Sequence, residues 1–136
     1  MDCIFCKILK GEIPCSKVYE NNKVLAFLDI GPVHKGHTLV IPKEHYETIL
    51  DIPEDLLKEV IAVTKKVSKA VKQGVEADGI SIGQSNFKAG GQVVPHLHFH
   101  IMPRFSEDGL KFWPQGKYEE GEMDKFREKI AKFLKE

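Results

Sequence analysis

Gln92-Val93-Val94-Pro95-His96-Leu97-His98-Phe99-His100-Ile101-Met102-Pro103-Arg104 is the stretch from which the rest of the 136-residue chain can be read. Three histidines alternate with Leu97, Phe99 and Ile101, and a period of two predicts a β-strand. On a strand, residues i, i+2 and i+4 share one face. One face therefore carries three imidazoles roughly 6.5–7 Å apart, while the other sends Leu97, Phe99 and Ile101 into a core. Half of the chain's six histidines fall within five residues. Stability alone gives no reason to align three groups that titrate near neutrality.

Three readings of the row compete. The plainest is a set of hydrogen-bonded core histidines. The second is a three-histidine metal centre, since neutral imidazole is a common zinc ligand. The third is nucleophilic catalysis, in which one imidazole attacks while its neighbours orient and donate. The preceding loop, Lys88-Ala89-Gly90-Gly91-Gln92, favours the third. A glycine-rich turn can offer backbone N–H groups to a phosphate, and beside three histidines it points to phosphorus chemistry.

His96-x-His98-x-His100, with apolar residues between, Pro103-Arg104 after and Ala-Gly-Gly-Gln before, resembles the histidine triad (HIT) family of nucleotide hydrolases and transferases. The likeness runs over roughly residues 3 to 105. It implies an α+β fold: an antiparallel sheet of about five strands, one long helix, a short N-terminal helix and a C-terminal helix. It further implies a purine nucleotide conjugate as substrate (a phosphoramidate, acyl-nucleotide or dinucleoside polyphosphate) cleaved at its α-phosphate through a nucleotidyl-histidine intermediate. In that reading His98 attacks, His100 donates to a phosphate oxygen or to the leaving group, and His37 supports the triad by hydrogen bonding. The rival from another class is a non-catalytic nucleotide-binding or interaction module using the same histidine face.

Length and composition set bounds. The chain has one domain's worth of residues, and the resemblance implies that 106–136 is a variable C-terminal tail and helix. Twenty basic and twenty acidic residues cancel, which argues against a nucleic-acid partner needing a basic face. No apolar run reaches a membrane span and the N-terminus lacks a signal-peptide pattern, so the cytoplasm is the expected location. Three cysteines, crowded near the N-terminus, form no disulfide framework.

Cys3-Ile4-Phe5-Cys6 is a single C-x-x-C pair with no strand before it and no helical pattern starting at it. Zinc would need two further ligands, and His45 and His96 are the candidates. The resemblance supports the same set, implying a structural zinc held by Cys3, Cys6, His45 and His96. Cys15 lies outside the pattern.

Lys7 to Lys10 suggests a helical turn ended by Gly11. Strands are expected over Val18–Glu20, Val24–Ile30, His37–Pro42 and Gly79–Ser85. Asp51 and Glu54 read as a capping box, opening a long amphipathic helix on Leu56, Leu57, Val60, Ile61, Val63, Thr64, Val67 and Val71 that stops at Gly74. Met123, Phe126, Ile130 and Phe133/Leu134 predict a C-terminal helix. His34 is expected in solvent. Trp113 is expected in the core or at a dimer contact, with stacking on a leaving nucleobase as the alternative.

By resemblance, Phe27, Leu28, Asp29 and Ile30 line the nucleoside pocket, with Asp29 accepting the ribose hydroxyls as an ionised carboxylate can. Ile4, Phe5, Ile8 and Ile13 match positions that sandwich the base, although plain core packing also explains them. Gly91, Gln92 and Val93 would present loop amides to the phosphates. Ser85, flanked by Gln84 and Asn86, stands where many relatives carry an amide, and Val93 replaces a hydroxyl residue. The resemblance also implies a homodimer formed partly by the long helix.

Overall fold

Val24-Leu25-Ala26-Phe27-Leu28 and Thr38-Leu39-Val40-Ile41-Pro42 are apolar at nearly every position, as strands covered on both faces must be. The computed structural model describes residues 3–111 and 113–134 and pairs these two runs antiparallel, from Val24 opposite Pro42 to Leu28 opposite Thr38. They are β2 (Val24–Leu28) and β3 (Thr38–Pro42) of a five-stranded sheet completed by β1 (Lys17–Glu20), β4 (Gly79–Gly83) and β5 (Phe99–Arg104). The order is β1-β2-β3-β5-β4 with antiparallel neighbours throughout. The expected α+β architecture is therefore the observed one, including the return from β4 to β5 through the glycine-rich loop.

Three helices flank the strands: α1 (Ile4–Leu9), α2 (Glu54–Gly74) and α3 (Glu122–Ala131). Along α2, Val60, Val63, Val67 and Val71 recur every three or four residues and are buried. They pack on Val24, Ala26, Val40, Leu97, Phe99 and Ile101, one face of the sheet. Burial of each such side chain contributes about 1.5–3 kcal/mol. The opposite face carries Leu25, Phe27, Leu39 and Ile41, covered by Cys3 and Phe5 at the start of the chain. Because β5 alternates, His98 and His100 share this second face, on the side away from α2. Among the described residues, no helix is long and apolar enough to cross a membrane.

Several local expectations are corrected. Regular pairing of the triad strand begins only at Phe99. His96, Leu97 and His98 lead into it, held partly by the Leu97 amide donating to the Tyr46 carbonyl at 2.7 Å. The first helix starts at Ile4 rather than Lys7, with Cys3 as its N-cap: the Cys3 sulfur accepts from the Cys6 amide. The C-x-x-C pair thus does open a helix, which a six-residue segment is too short to announce by periodicity. Pro53, not Asp51, is the N-cap of α2 and makes no side-chain cap bond; Asp51 instead accepts from the Thr48 amide at 3.0 Å. β2 stops at Leu28, β4 at Gly83, and α3 before Phe133 and Leu134. His34 is half-buried against Asp108 and Phe105 rather than out in solvent. Trp113 is 80% exposed, so it is no core residue.

Candidate active site and metal-ligand cluster

The sheet face bearing the triad is built by three strand ends and two loops. Gly36 must be glycine here: it adopts φ +103°, and a Cβ would stand 2.8 Å from the Val75 side chain. It delivers His37 to the start of β3. Asp29 follows the end of β2, and its amide donates to the His37 carbonyl at 2.9 Å. On the far side, the loop before His96 is closed by Gln92, which is buried. The Gln92 side chain accepts from the Phe87 amide at 2.8 Å and donates to the Glu47 carbonyl at 2.6 Å.

The protons on these rings follow from their partners, because a neutral imidazole has one N–H and one bare nitrogen. His96 Nε2 donates to the Pro42 carbonyl at 2.9 Å, leaving Nδ1 bare. His98 Nδ1 donates to the His96 carbonyl at 2.7 Å, leaving Nε2 bare. His37 Nδ1 accepts from the Val33 amide at 3.0 Å, so its proton sits on Nε2 and is given to His100 Nδ1 at 2.9 Å. His100 therefore keeps its own proton on Nε2. Burial, first among the causes, lowers the pKa of His37 and His98 and pushes His100 down to about 4. All three rings are neutral at pH 7.

The bare nitrogen of His98 belongs to a ring stacked edge-on by Phe5, with centroids 5.1 Å apart, and 4.9 Å from His100. A neutral nucleophile beside a donor is the pairing that covalent catalysis needs. Asp29 Oδ1 accepts from the Gly31 amide at 2.8 Å, and Oδ2 lies 3.6 Å from His37 Nε2. Asp29, His37 and His100 bring three donor atoms within 4.8 Å of one another. The His37 nitrogen facing this group is the protonated one and is already given to His100, so the group is read as hydrogen-bonded rather than as a metal site.

His96 faces a different group. Its Nδ1 lies 3.4 Å from Cys3 Sγ, 3.6 Å from Cys6 Sγ and 3.1 Å from His45 Nδ1, while Cys6 Sγ is 3.3 Å from His45 Nδ1. Zn–N and Zn–S bonds at tetrahedral angles put ligand atoms about 3.4–3.8 Å apart, so this Cys2His2 group can hold a metal ion with small adjustments. Burial pushes His96 down to about 4, which favours the bare nitrogen that a ligand needs. The bond from His96 Nε2 to the Pro42 carbonyl fixes the ring with Nδ1 toward the cysteines, the orientation a ligating histidine needs. The row of three imidazoles is thus divided: His96 turns to the cysteines, while the rings of His98 and His100 pack against each other, His98 buried and His100 half-buried.

The remaining sequence candidates separate by what they touch. Phe27 is buried edge-on against Phe5, centroids 5.6 Å apart. Ile8 and Ile13 are half-buried, whereas Ile4, Leu28 and Ile30 are exposed. Asn86 is committed elsewhere: Oδ1 accepts from the Ile49 amide and from Gln84 Nε2, both at 2.8 Å. Ser85 instead faces the loop, with Oγ 3.6 Å from where a Cβ on Gly91 would stand. The Gly91 and Gln92 amides, expected to face phosphate, donate internally to the Lys88 and Phe87 carbonyls. The Val93 amide makes no such bond among the described residues, and the Val93 side chain is exposed. Sequence reasoning missed Val33, because a backbone amide leaves no signature in residue identity. It also missed Asp108, four residues after Arg104, because an acidic residue in a loop carries no mark of what it will bind.

The family model described as HIT domain matches residues 10–107. The chain belongs to the HIT family. Among its HIT relatives, the adenosine 5′-monophosphoramidase of Schizosaccharomyces pombe is 40% identical over 137 residues, covering 99% of this chain and all of the relative. The crystal structure of a HIT family member from Bacillus subtilis superposes with a TM-score of 0.92 at 39% identity, covering 100% of this chain and 99% of the other. A zinc-bound histidine triad protein from Mycobacterium smegmatis superposes with a TM-score of 0.78 at 38% identity, over 86% of this chain and 85% of that one.

Proposed function

We propose that this HIT protein hydrolyses a purine nucleotide conjugate at the α-phosphate through a nucleotidyl-histidine on His98. The observation that carries the reading is the 2.7 Å bond from His98 Nδ1 to the His96 carbonyl, which leaves Nε2 as a bare, fixed lone pair. The phosphoramidase relative in Schizosaccharomyces pombe supports it.

In the first step His98 Nε2 bonds to phosphorus, and the bond from phosphorus to the leaving group breaks with its electron pair. The departing amine or oxygen takes a proton from solvent. In the second step water attacks phosphorus, the bond to His98 breaks with its pair returning to Nε2, and the water's proton goes to solvent. His100 Nε2–H and the Val93 amide donate to the phosphoryl oxygens, where charge builds in the transition state. Ser85 is the polar side chain assigned to the phosphates, in place of Asn86 and the Gly91 and Gln92 amides. Asp29 accepts from the ribose hydroxyls. The base lies against the exposed Ile4, Leu28 and Ile30 and the half-buried Ile8 and Ile13, while Phe5 and Phe27 support them from the core, packed on each other.

Zinc is the ion proposed for Cys3, Cys6, His45 and His96, where it would brace α1, the loop after β3 and the approach to His98. A second copy of the chain is the proposed partner for the open β4 edge with its exposed Ile82, and for Ile61, exposed on α2. The cytoplasm is the proposed location, since its reducing conditions suit three cysteines free of disulfides.

Rapid quenching after mixing with an adenosine phosphoramidate, followed by intact mass spectrometry, tests the central claim. The protein should gain one adenylyl group mapping to His98, and His98→Gly should gain none. Binding without an adduct or turnover would leave only a nucleotide-binding module.

A further inference from the structure

The proton on His100 is decided at a distance. Its tautomer depends on His37, and that of His37 depends on the Val33 amide, which donates to Nδ1 at 3.0 Å. Val33 and His37 lie in the loop between β2 and β3, and this loop is tied down at one further point. The His37 amide donates to the His34 carbonyl at 3.0 Å. The His34 ring reaches Asp108 Oδ2 through Nε2 at 3.2 Å and packs edge-on against Phe105, centroids 5.2 Å apart.

Asp108 is itself held rigidly. Its carboxylate accepts from Arg104 Nε at 2.8 Å and from a terminal guanidinium nitrogen at 2.9 Å, and from the Phe105 and Leu110 amides at 3.1 and 3.0 Å. The Asp108 side chain is only 8% exposed. Such a fork fixes direction as well as distance. It anchors His34 to the end of β5, the strand that carries His100, so loop and strand move as one body.

We propose that Asp108, acting through His34 and the Val33 amide, is a positioning residue that fixes the His100 proton on Nε2. None of the three touches the reacting atoms. If the clasp opens, the Val33 amide drifts from His37 Nδ1, and the Asp29 carboxylate 3.6 Å from His37 Nε2 becomes a rival acceptor. His100 then populates the other tautomer and turns a lone pair, not an N–H, toward the phosphoryl oxygen. The kinetic consequence rests on the nucleotidyl-transfer reading; the tautomer assignment does not.

The test pairs two readouts on the full, metal-loaded chain. Long-range 1H–15N spectra of 15N-histidine protein report which ring nitrogen carries each proton. Turnover of an adenosine phosphoramidate is compared with that of its two α-phosphorothioate diastereomers, in which sulfur replaces one phosphoryl oxygen. In the parent protein His100 should be protonated on Nε2, and one diastereomer should be strongly disfavoured. His34→Phe keeps a ring against Phe105 but removes the bond to Asp108; Asp108→Asn and Val33→Pro break the chain at its other links.

Each variant should show mixed His100 tautomers, a kcat lower by about ten-fold, part of the 10²–10³ lost when such a donor is removed outright, and a weaker diastereomer preference. KM should move less than about two-fold, as for an interaction made mainly in the transition state. A parent protein with His100 protonated on Nδ1 would overturn the proposal. So would folded variants that lose kcat with the His100 tautomer unchanged. If the parent neither turns over nor forms an adduct, the hydrolase reading fails, and the spectra still decide the tautomer claim.

Discussion

Replacing Gln92 by alanine should destabilise the fold by about 2–4 kcal/mol. The side chain is 8% exposed and bonds two backbone groups, the Phe87 amide at 2.8 Å and the Glu47 carbonyl at 2.6 Å. Each lost bond removes about 1 kcal/mol net, and a partner left dry and unpaired costs a further 1–3 kcal/mol. Phe87 sets the upper limit. It holds φ 65° and ψ 160°, a conformation costing a non-glycine residue about 1–3 kcal/mol, and once Gln92 is gone it can relax and recover part of that. Urea unfolding followed by circular dichroism would measure the change as a lower midpoint at constant slope. Gln92→Glu sharpens the test. It keeps an acceptor for Phe87 but sets a carboxylate oxygen against the Glu47 carbonyl, so it should be destabilised at pH 7 and recover as acid protonates that oxygen. A Gln92→Ala protein within about 0.5 kcal/mol of the parent, the range of a neutral surface change, would refute the view that this side chain holds the loop.

Cys6→Ser, or prolonged chelation, should lower the melting temperature and with it activity, while leaving His98 able to form its adduct; unchanged melting in a metal-free preparation would count against a structural ion. Protonating the triad face should destabilise the protein, because His100 falls to about 4 on folding from an ordinary value of 6.5. The unfolded chain binds the extra proton, so this contribution is whole above pH 6.5 and is lost as pH falls toward 4; a stability–pH profile would show it, and the His100-dependent acid limb of kcat should lie nearer 4 than 6.5. Ser68 Oγ is buried without a hydrogen-bond partner among the described residues, so Ser68→Ala should stabilise α2 by up to about 1 kcal/mol, read as a higher urea midpoint.

The sequence carried the sheet because burial on both faces forces nearly continuous apolar runs in β2 and β3, and it carried α2 because valines at three- and four-residue spacing leave a period. The different surroundings of the three triad histidines were not legible in the alternation of His96, His98 and His100, which puts all three on one nominal face; the choice of His45 and His96 beside the cysteines, and the resemblance, were the signals that set His96 apart. What separates them is the departure from regular pairing before Phe99, which turns His96 toward Cys3 and Cys6. The capping box at Asp51 and Glu54 misled for a simple reason. A short polar side chain serves a turn as readily as a helix start, and here the Thr48 amide claims it. The loop amides were misassigned because glycine content announces a turn without saying where its N–H groups point. Gly91 takes a left-handed φ of 98° and closes the turn upon itself.

Cys3 and His96 are separated by 93 positions in the chain. On a ribosome working at about 5–20 residues per second, the two N-terminal thiols would wait about 5–20 s after their own synthesis before that histidine joins the chain. During the interval the contact between Cys3 and His96 cannot form, so the packing of the Cys3–Cys6 segment against His96 waits for the strand that carries the triad.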